Sequence, residues 1–142
     1  MLSKQSKYAI RGMLFLAQNA NKENKLTAKQ VAERTGIPIS FLAKIFQKLS
    51  RENLVLSVKG PKGGFYLSEK EMKNCLLDII ACIDGLESFS TCYIGLPHCS
   101  DKKPCPVHHI AAAWRDQLVA ELRVKTLADL IEETEKGLSR IV

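Results

Sequence analysis

Apolar residues near the start of the chain fall on one helical face, formed by Tyr8, Ile10, Met13, Leu14, Leu16 and Ala17, and the polar stretch NANKENK over 19–25 closes that helix. Thr27 then stands three residues before Gln30, the spacing of a capping box in which each side chain satisfies the other's free backbone N–H. Val31 and Ala32 continue a short helix, Gly36 ends it in a left-handed conformation, and Pro38 fits the first turn of the next. In PISFLAKIFQKLSREN, residues 38–53, Leu42, Ile45, Phe46 and Leu49 point inward, while Ser40, Lys44, Gln47, Lys48 and Arg51 point out. Helix, tight turn, helix is the expected unit. LVLSVKGPKGGFYL follows, alternating Leu54, Leu56 and Val58 on one face, turning through residues 59–64 and resuming with Phe65 and Leu67, which predicts a β-hairpin.

Beyond the hairpin, an apolar helix over 72–84 is expected, stopped by Gly85, with Cys75 and Cys82 in step with Ile79 and Ile83 and therefore core thiols. A long helix that Pro106 can begin carries Ile110, Trp114, Leu118 and Leu122 at four-residue intervals. A second box, Thr126 to Asp129, starts a last helix with Leu127, Leu130 and Ile131. The expected fold class is mainly α with a small β-hairpin wing, a winged helix-turn-helix over 1–84. A cysteine-rich loop over 85–105 and a dimerisation helix with a C-terminal helix over 106–142 complete it.

Charge gives the first segment a partner. The net charge of +6 is uneven: residues 1–62 hold twelve Lys and Arg against three acids, net +9, and residues 63–142 hold nine against twelve, net −3. Polyanion binding therefore belongs to the first part. The second helix of such a pair presents its outer face to the DNA major groove, and a wing with cations at its tip reaches phosphates or the minor groove. The candidate contacts to double-stranded DNA are Thr27, Pro38, Ser40, Phe41, Lys44, Gln47 and Lys48, with Lys59, Gly60, Pro61 and Lys62 at the wing tip. The apolar stripe of the long helix exceeds what a small domain covers alone, so a homodimer on a palindromic operator is expected.

Composition excludes other classes. Apolar residues at 46% and charged residues at 25% describe a globular chain of one domain, or a small domain with an appended segment. The longest apolar runs, such as Met13 to Ala17 and Ile79 to Ile83, are five residues, against the ~20 that span a bilayer, so no membrane span is expected. Arg11 interrupts the apolar start and no small-residue cleavage site follows, which reads as the first helix of a cytoplasmic protein.

The segment CYIGLPHCSDKKPCPVHH, residues 92–109, carries separate chemistry. Cys92, Cys99 and Cys105 are spaced without a Cys-x-x-Cys pair, which disfavours structural zinc, and a cytosolic thiol pool disfavours a disulfide. Hydrolytic Cys–His catalysis needs a nucleophile on a rigid turn with an oriented base, and a loop with Gly95, Pro97 and Pro104 offers none, so the chain is not expected to be an enzyme. Three thiolates with an imidazole from His98, His108 or His109 suit an iron–sulfur cluster. Cys105 at the start of the long helix gains thiolate stabilisation from free N–H groups there, and His108, three residues on, shares its face. The rival readings are a cluster-free repressor responding to a small ligand or partner protein, and a small thiol- or metal-dependent enzyme.

SKYAIRGMLFLA, PISFLAKIFQKL, the NLVLSVKGPKGGFYL hairpin and the three-cysteine loop before HHIAAAWRDQL together resemble the bacterial iron–sulfur cluster regulator family of winged-helix transcription factors, over essentially the whole chain. The branches of that family include a cluster-assembly repressor, a nitric-oxide-sensing repressor and a cysteine-metabolism repressor. The resemblance implies a homodimeric regulator sensing iron–sulfur status, redox stress or nitric oxide, with Cys92, Cys99 and Cys105 as cluster thiolates and His108 as the imidazole of the 2Fe-2S branch. That branch usually has five residues between the first two cysteines, and here there are six. The nitric-oxide branch takes a carboxylate near the N-terminus, whereas no acid precedes Glu23 here and Lys7 occupies the expected place, so 2Fe-2S is favoured over 4Fe-4S. The cysteine-metabolism branch lacks the triplet.

Overall fold

The computed structural model describes residues 2–136, so positions 137–142 of the expected 106–142 segment lie outside the described residues. Helix α1 (Lys4–Asn19) starts where the Ser3 hydroxyl accepts the Ser6 N–H, and it buries Ala9, Met13 and Leu16 completely. It is the central element: α2 (Ala28–Thr35), α3 (Ile39–Arg51), α5 (Leu76–Asp84) and α7 (Leu127–Glu135) all pack against it. The capping box of α2 forms as expected, with the Gln30 N–H donating to Thr27 Oγ1 at 3.2 Å and the Thr27 N–H to Gln30 Oε1 at 2.9 Å. Such a cap stabilises by about 1 kcal/mol. Gly36, at φ 74°, closes α2 in the left-handed region and turns the chain into α3. Pro38 stands just outside α3 as its cap residue rather than inside the first turn. Leu42, Ile45, Phe46 and Leu49 are buried, as their spacing predicts.

The hairpin pairs β1 (Leu56–Val58) with β2 (Gly64–Tyr66) antiparallel, with Leu56 opposite Tyr66 and Val58 opposite Gly64. Leu26 adds an outer rung, exchanging backbone bonds with Phe65 at 2.7 and 3.1 Å. The Phe46 and Phe65 rings, 5.0 Å apart, dock the hairpin on α3. The expected apolar face of the first strand fades along its length: Leu54 is buried, Leu56 half-buried and Val58 exposed, because the wing projects out of the core.

The helix expected over 72–84 is broken in two. A short α4 (Glu69–Met72) starts at the Ser68–Glu71 capping box, and α5 starts afresh at a second box between Cys75 and Asp78. Cys75 is extended, at φ −90° and ψ 166°, and bridges to Thr126, while the Leu127 N–H donates to Asn74 O at 3.0 Å. Cys75 and Cys82 are consequently half-buried rather than core, Cys75 because it caps a helix instead of lying on its inner face.

A 3-10 turn (Glu87–Phe89) leads into the cysteine segment, and α6 (His108–Val124) follows. Pro106 and Val107 form a turn, so α6 begins two residues later than Pro106 alone implies. Leu118 and Leu122 pack on Leu77, Ile80 and Phe89, whereas Ile110 (76% exposed) and Trp114 (50% exposed) of the same stripe face outward. No helix among the described residues is long and apolar enough to cross a membrane.

The wing tolerates little at its Gly-Gly pair. A Cβ on Gly63 would stand 2.1 Å from Val58 O, and Gly64, at φ 147°, would place one 2.8 Å from the Leu26 backbone. Gly63→Ala and Gly64→Ala are each expected to destabilise the chain by about 1–3 kcal/mol in urea unfolding, since backbone must move to relieve them.

Candidate functional site

Two surfaces carry chemistry. The first is α3 with the wing. Ser40, Phe41, Lys44 and Gln47 are exposed along α3, in the phase left over once its apolar residues face α1 and β2. Phe41 keeps one edge against Tyr8 of α1, with ring centroids 5.8 Å apart. Lys59, Gly60, Pro61 and Lys62 are exposed at the hairpin tip. Among the described residues, no carboxylate pairs with Lys44, Lys59 or Lys62, so their charge is available to an external polyanion. Thr27 is exposed at the start of α2 with its hydroxyl engaged in the capping box, and Pro38 is exposed at the start of α3. Lys48 is turned differently: its Nζ donates to Ile83 O at 3.2 Å, at the C-terminal end of α5, where the helix dipole favours a cation.

The second surface is the thiol loop. The Sγ atoms of Cys92, Cys99 and Cys105 all lie within 4.8 Å of one another, and Cys105 is buried. Cys92 Sγ is 3.8 Å from Cys105 Sγ, and the Cys105 N–H donates to Cys99 Sγ at 3.4 Å. His108 sits in the first turn of α6 with Nδ1 3.1 Å from Cys99 Sγ and Nε2 2.8 Å from Asp101 Oδ1. Of the three histidines left open by spacing, His108 is the one hydrogen-bonded to a thiol among the described residues; His98 and His109 are exposed, with His109 edge-on to the His108 ring.

The site environment divides the thiols. Partial burial pushes the Cys92 thiol up, but the backbone N–H groups of Leu96 and Ile94 and the thiols of Cys99 and Cys105 outweigh it and bring it down to about 7. At Cys99 the Cys105 N–H pulls down, yet burial and the two neighbouring sulfurs leave it above the usual thiol range. Burial raises Cys75 and Cys82 as well. The hydrogen bond and charge of His108 hold the Asp101 carboxyl below the usual carboxylate range.

Two residues of this site escape a reading from spacing alone. Asp101 reaches His108 from a tight turn, for which the Ser-Asp pair between two thiols is the available signal. Arg115, on α6, lines the thiol cavity and donates to Thr91 O at 2.9 Å. An adjoining depression of about 300 Å³ is lined by residues that include Thr91, Cys92, Tyr93, Ala111, Trp114 and Arg115.

A basic winged helix followed by a compact thiol trio has counterparts among known proteins. The family model Rrf2, described as iron-dependent transcriptional regulator, matches residues 2–133. The chain belongs to the Rrf2 family. An HTH-type regulator assigned in Aquifex aeolicus (strain VF5) is 34% identical over 135 residues, covering 93% of this chain and 92% of that one. The HTH-type transcriptional regulator IscR of Vibrio atlanticus (strain LGP32) is 30% identical over 137 residues, covering 94% and 76%. Among solved structures, T. potens IscR superposes with a TM-score of 0.73 at 25% identity over 99% of this chain and 92% of that one. CymR (YrzC), the global cysteine regulator of B. subtilis, shares the fold, with a TM-score of 0.75 at 23% identity over 93% and 96%. This Rrf2 member is accordingly a transcriptional regulator with a DNA-binding winged helix, and its three close cysteines form a group able to hold a metal.

Because the thiolate is the reactive form, the metal-free protein should react with iodoacetamide first at Cys92 at pH 7. Its rate should rise with pH and level off above about 8, once the thiol is ionised, whereas Cys75 and Cys82 should still be gaining rate at pH 9. Peptide mass spectrometry resolves the sites; equal rates at pH 7 would contradict the stated environments.

Proposed function

We propose that this Rrf2 member is a homodimeric repressor that senses iron–sulfur status, redox stress or nitric oxide through a 2Fe-2S cluster and reads a palindromic operator. The observation that carries the reading is the convergence of three sulfurs and the His108 imidazole at the foot of α6. The donor set fits the group in kind, since soft thiolates with one imidazole suit iron–sulfur clusters, and Cys92 Sγ and Cys105 Sγ, 3.8 Å apart, are close enough to share one tetrahedral iron. Cys92, Cys99, Cys105 and His108 would hold it. When bound, a 2Fe-2S cluster supplies one-electron redox chemistry and sensitivity to oxidants, and one imidazole among thiolates raises its potential. The first turn of α1 carries no acidic residue, which favours this ligand set over a 4Fe-4S site completed from the N-terminus.

The chain's own residues do the rest. Ser40, Phe41, Lys44 and Gln47 of α3, with Thr27 and Pro38 at the starts of α2 and α3, face the major groove, and Lys59, Gly60, Pro61 and Lys62 lie along the backbone or minor groove, while Lys48, held on Ile83 O, stands apart from this face. The exposed upper stripe of α6, including Ile110 and Trp114, is the surface for a second copy. His108 belongs to the first turn of that same helix, so the state of the loop bears on how two DNA-reading units are set relative to each other, a shift between two populations.

Protein purified without oxygen is expected to be coloured, dimeric, and to contain iron and acid-labile sulfide, and Cys105→Ala to lose both. A colourless, iron-free dimer whose DNA binding is unchanged by Cys105→Ala would leave a cluster-free regulator. Affinity for duplex DNA should fall with salt at a log–log slope of about −0.9 per phosphate contacted, and Lys59→Ala or Lys62→Ala should each make it shallower by about 1. Absence of duplex binding in every metal state would refute the assignment of these contacts.

A further inference from the structure

We propose that Asp101 is the positioning residue of the thiol site: its carboxylate holds the Nε2–H of His108 and so presents Nδ1, with its lone pair, to the sulfurs. This rests on the cluster reading for what the nitrogen then binds, and on geometry for the rest. Between Cys99 and Cys105 the chain makes a tight turn in which Ser100 and Lys103 exchange backbone hydrogen bonds at 3.1 Å each way, and the Lys103 N–H also reaches Ser100 Oγ at 3.2 Å. That turn lifts Asp101 to its tip, from which Oδ1 lies 2.8 Å from His108 Nε2.

An ionised carboxylate only accepts, so the nitrogen facing it must carry the hydrogen. A neutral imidazole has one N–H, which leaves the lone pair on Nδ1, the atom 3.1 Å from Cys99 Sγ. The residue is also fixed at its backbone, where the His108 N–H donates to Cys105 O at 3.0 Å, and its side chain is only 11% exposed against 97% for Asp101. A hydrogen bond with one partner so exposed adds little to stability. What it does supply is direction, because an outer carboxylate on the second nitrogen fixes the ring and strengthens the first nitrogen as a donor. The spacing of the cysteines does not require an acid at position 101; the sequence places one where this histidine can use it.

Two variants separate orientation from charge. In the reduced, metal-free protein, long-range 1H–15N spectra should show His108 as the Nε2–H tautomer. Asp101→Asn should preserve it, since an amide oxygen still accepts, and Asp101→Ala should convert it to a mixture. In protein loaded with iron and sulfide under nitrogen, Asp101→Asn should shift the midpoint potential positive by removing a negative charge. Asp101→Ala should release iron about 10–100-fold faster. An Nδ1–H tautomer in the wild type, or an Ala variant with wild-type tautomer and wild-type iron release, overturns the proposal. If the tautomer responds as expected but the wild type takes up no iron and sulfide, the cluster reading falls while control of the ring by Asp101 stands.

Discussion

The close approach of α1 and α3 governs the rest of the structure. Gly12 makes it: a Cβ there would stand 3.0 Å from both Leu42 Cδ1 and Phe46 Cε1, tighter than ordinary packing. With the two helices this near, Leu42, Ile45, Phe46 and Leu49 leave water together, each worth about 1.5–3 kcal/mol when fully buried. Their burial dictates the phase of α3. Ser40, Phe41, Lys44 and Gln47 are turned outward as the complement of that core, and Phe46 in turn seats the hairpin through Phe65. The proposed nucleic-acid surface is thus a by-product of hydrophobic packing behind it.

The thiol site is held on different terms. Between the 3-10 turn and α6 there is almost no buried side chain apart from Cys105, so local turns, an α6 terminus and mutual hydrogen bonds bring the sulfurs together. Such a segment has little packing energy to resist change. It is joined to a rigid head on one side and to α6 on the other, whose lower half is anchored on Leu77, Ile80 and Phe89. The cationic excess ends within the head itself: it lies in residues 1–62, up to the wing tip, and the remainder of the chain is net acidic.

Much of this was legible in the chain. The Thr27–Gln30 and Thr126–Asp129 boxes, the phase of α3 and the wing each depend on neighbours a few residues apart, and all are present. What spacing could not show depends on partners far along the chain. The break before α5 is made by pairing of Asn74–Leu76 with Lys125–Leu127, fifty residues away, which pulls Cys75 off the helical face that its period suggests. Likewise the contact of His108, rather than His98 or His109, with a thiol, and the presence of Asp101 beside it, follow from a folded turn. The outward upper stripe of α6 is readable as apolar in sequence, but only packing divides it from the lower stripe.

Trp114 is the chain's one tryptophan, and it stands over the depression that reaches Cys92. Its indole is half-exposed, so its emission answers to what fills or leaves that hollow. An iron–sulfur chromophore at the adjoining sulfurs would quench it, and a second chain laid across it would shift it to the blue. The molecule therefore carries its own optical gauge, placed where the cysteine loop meets α6.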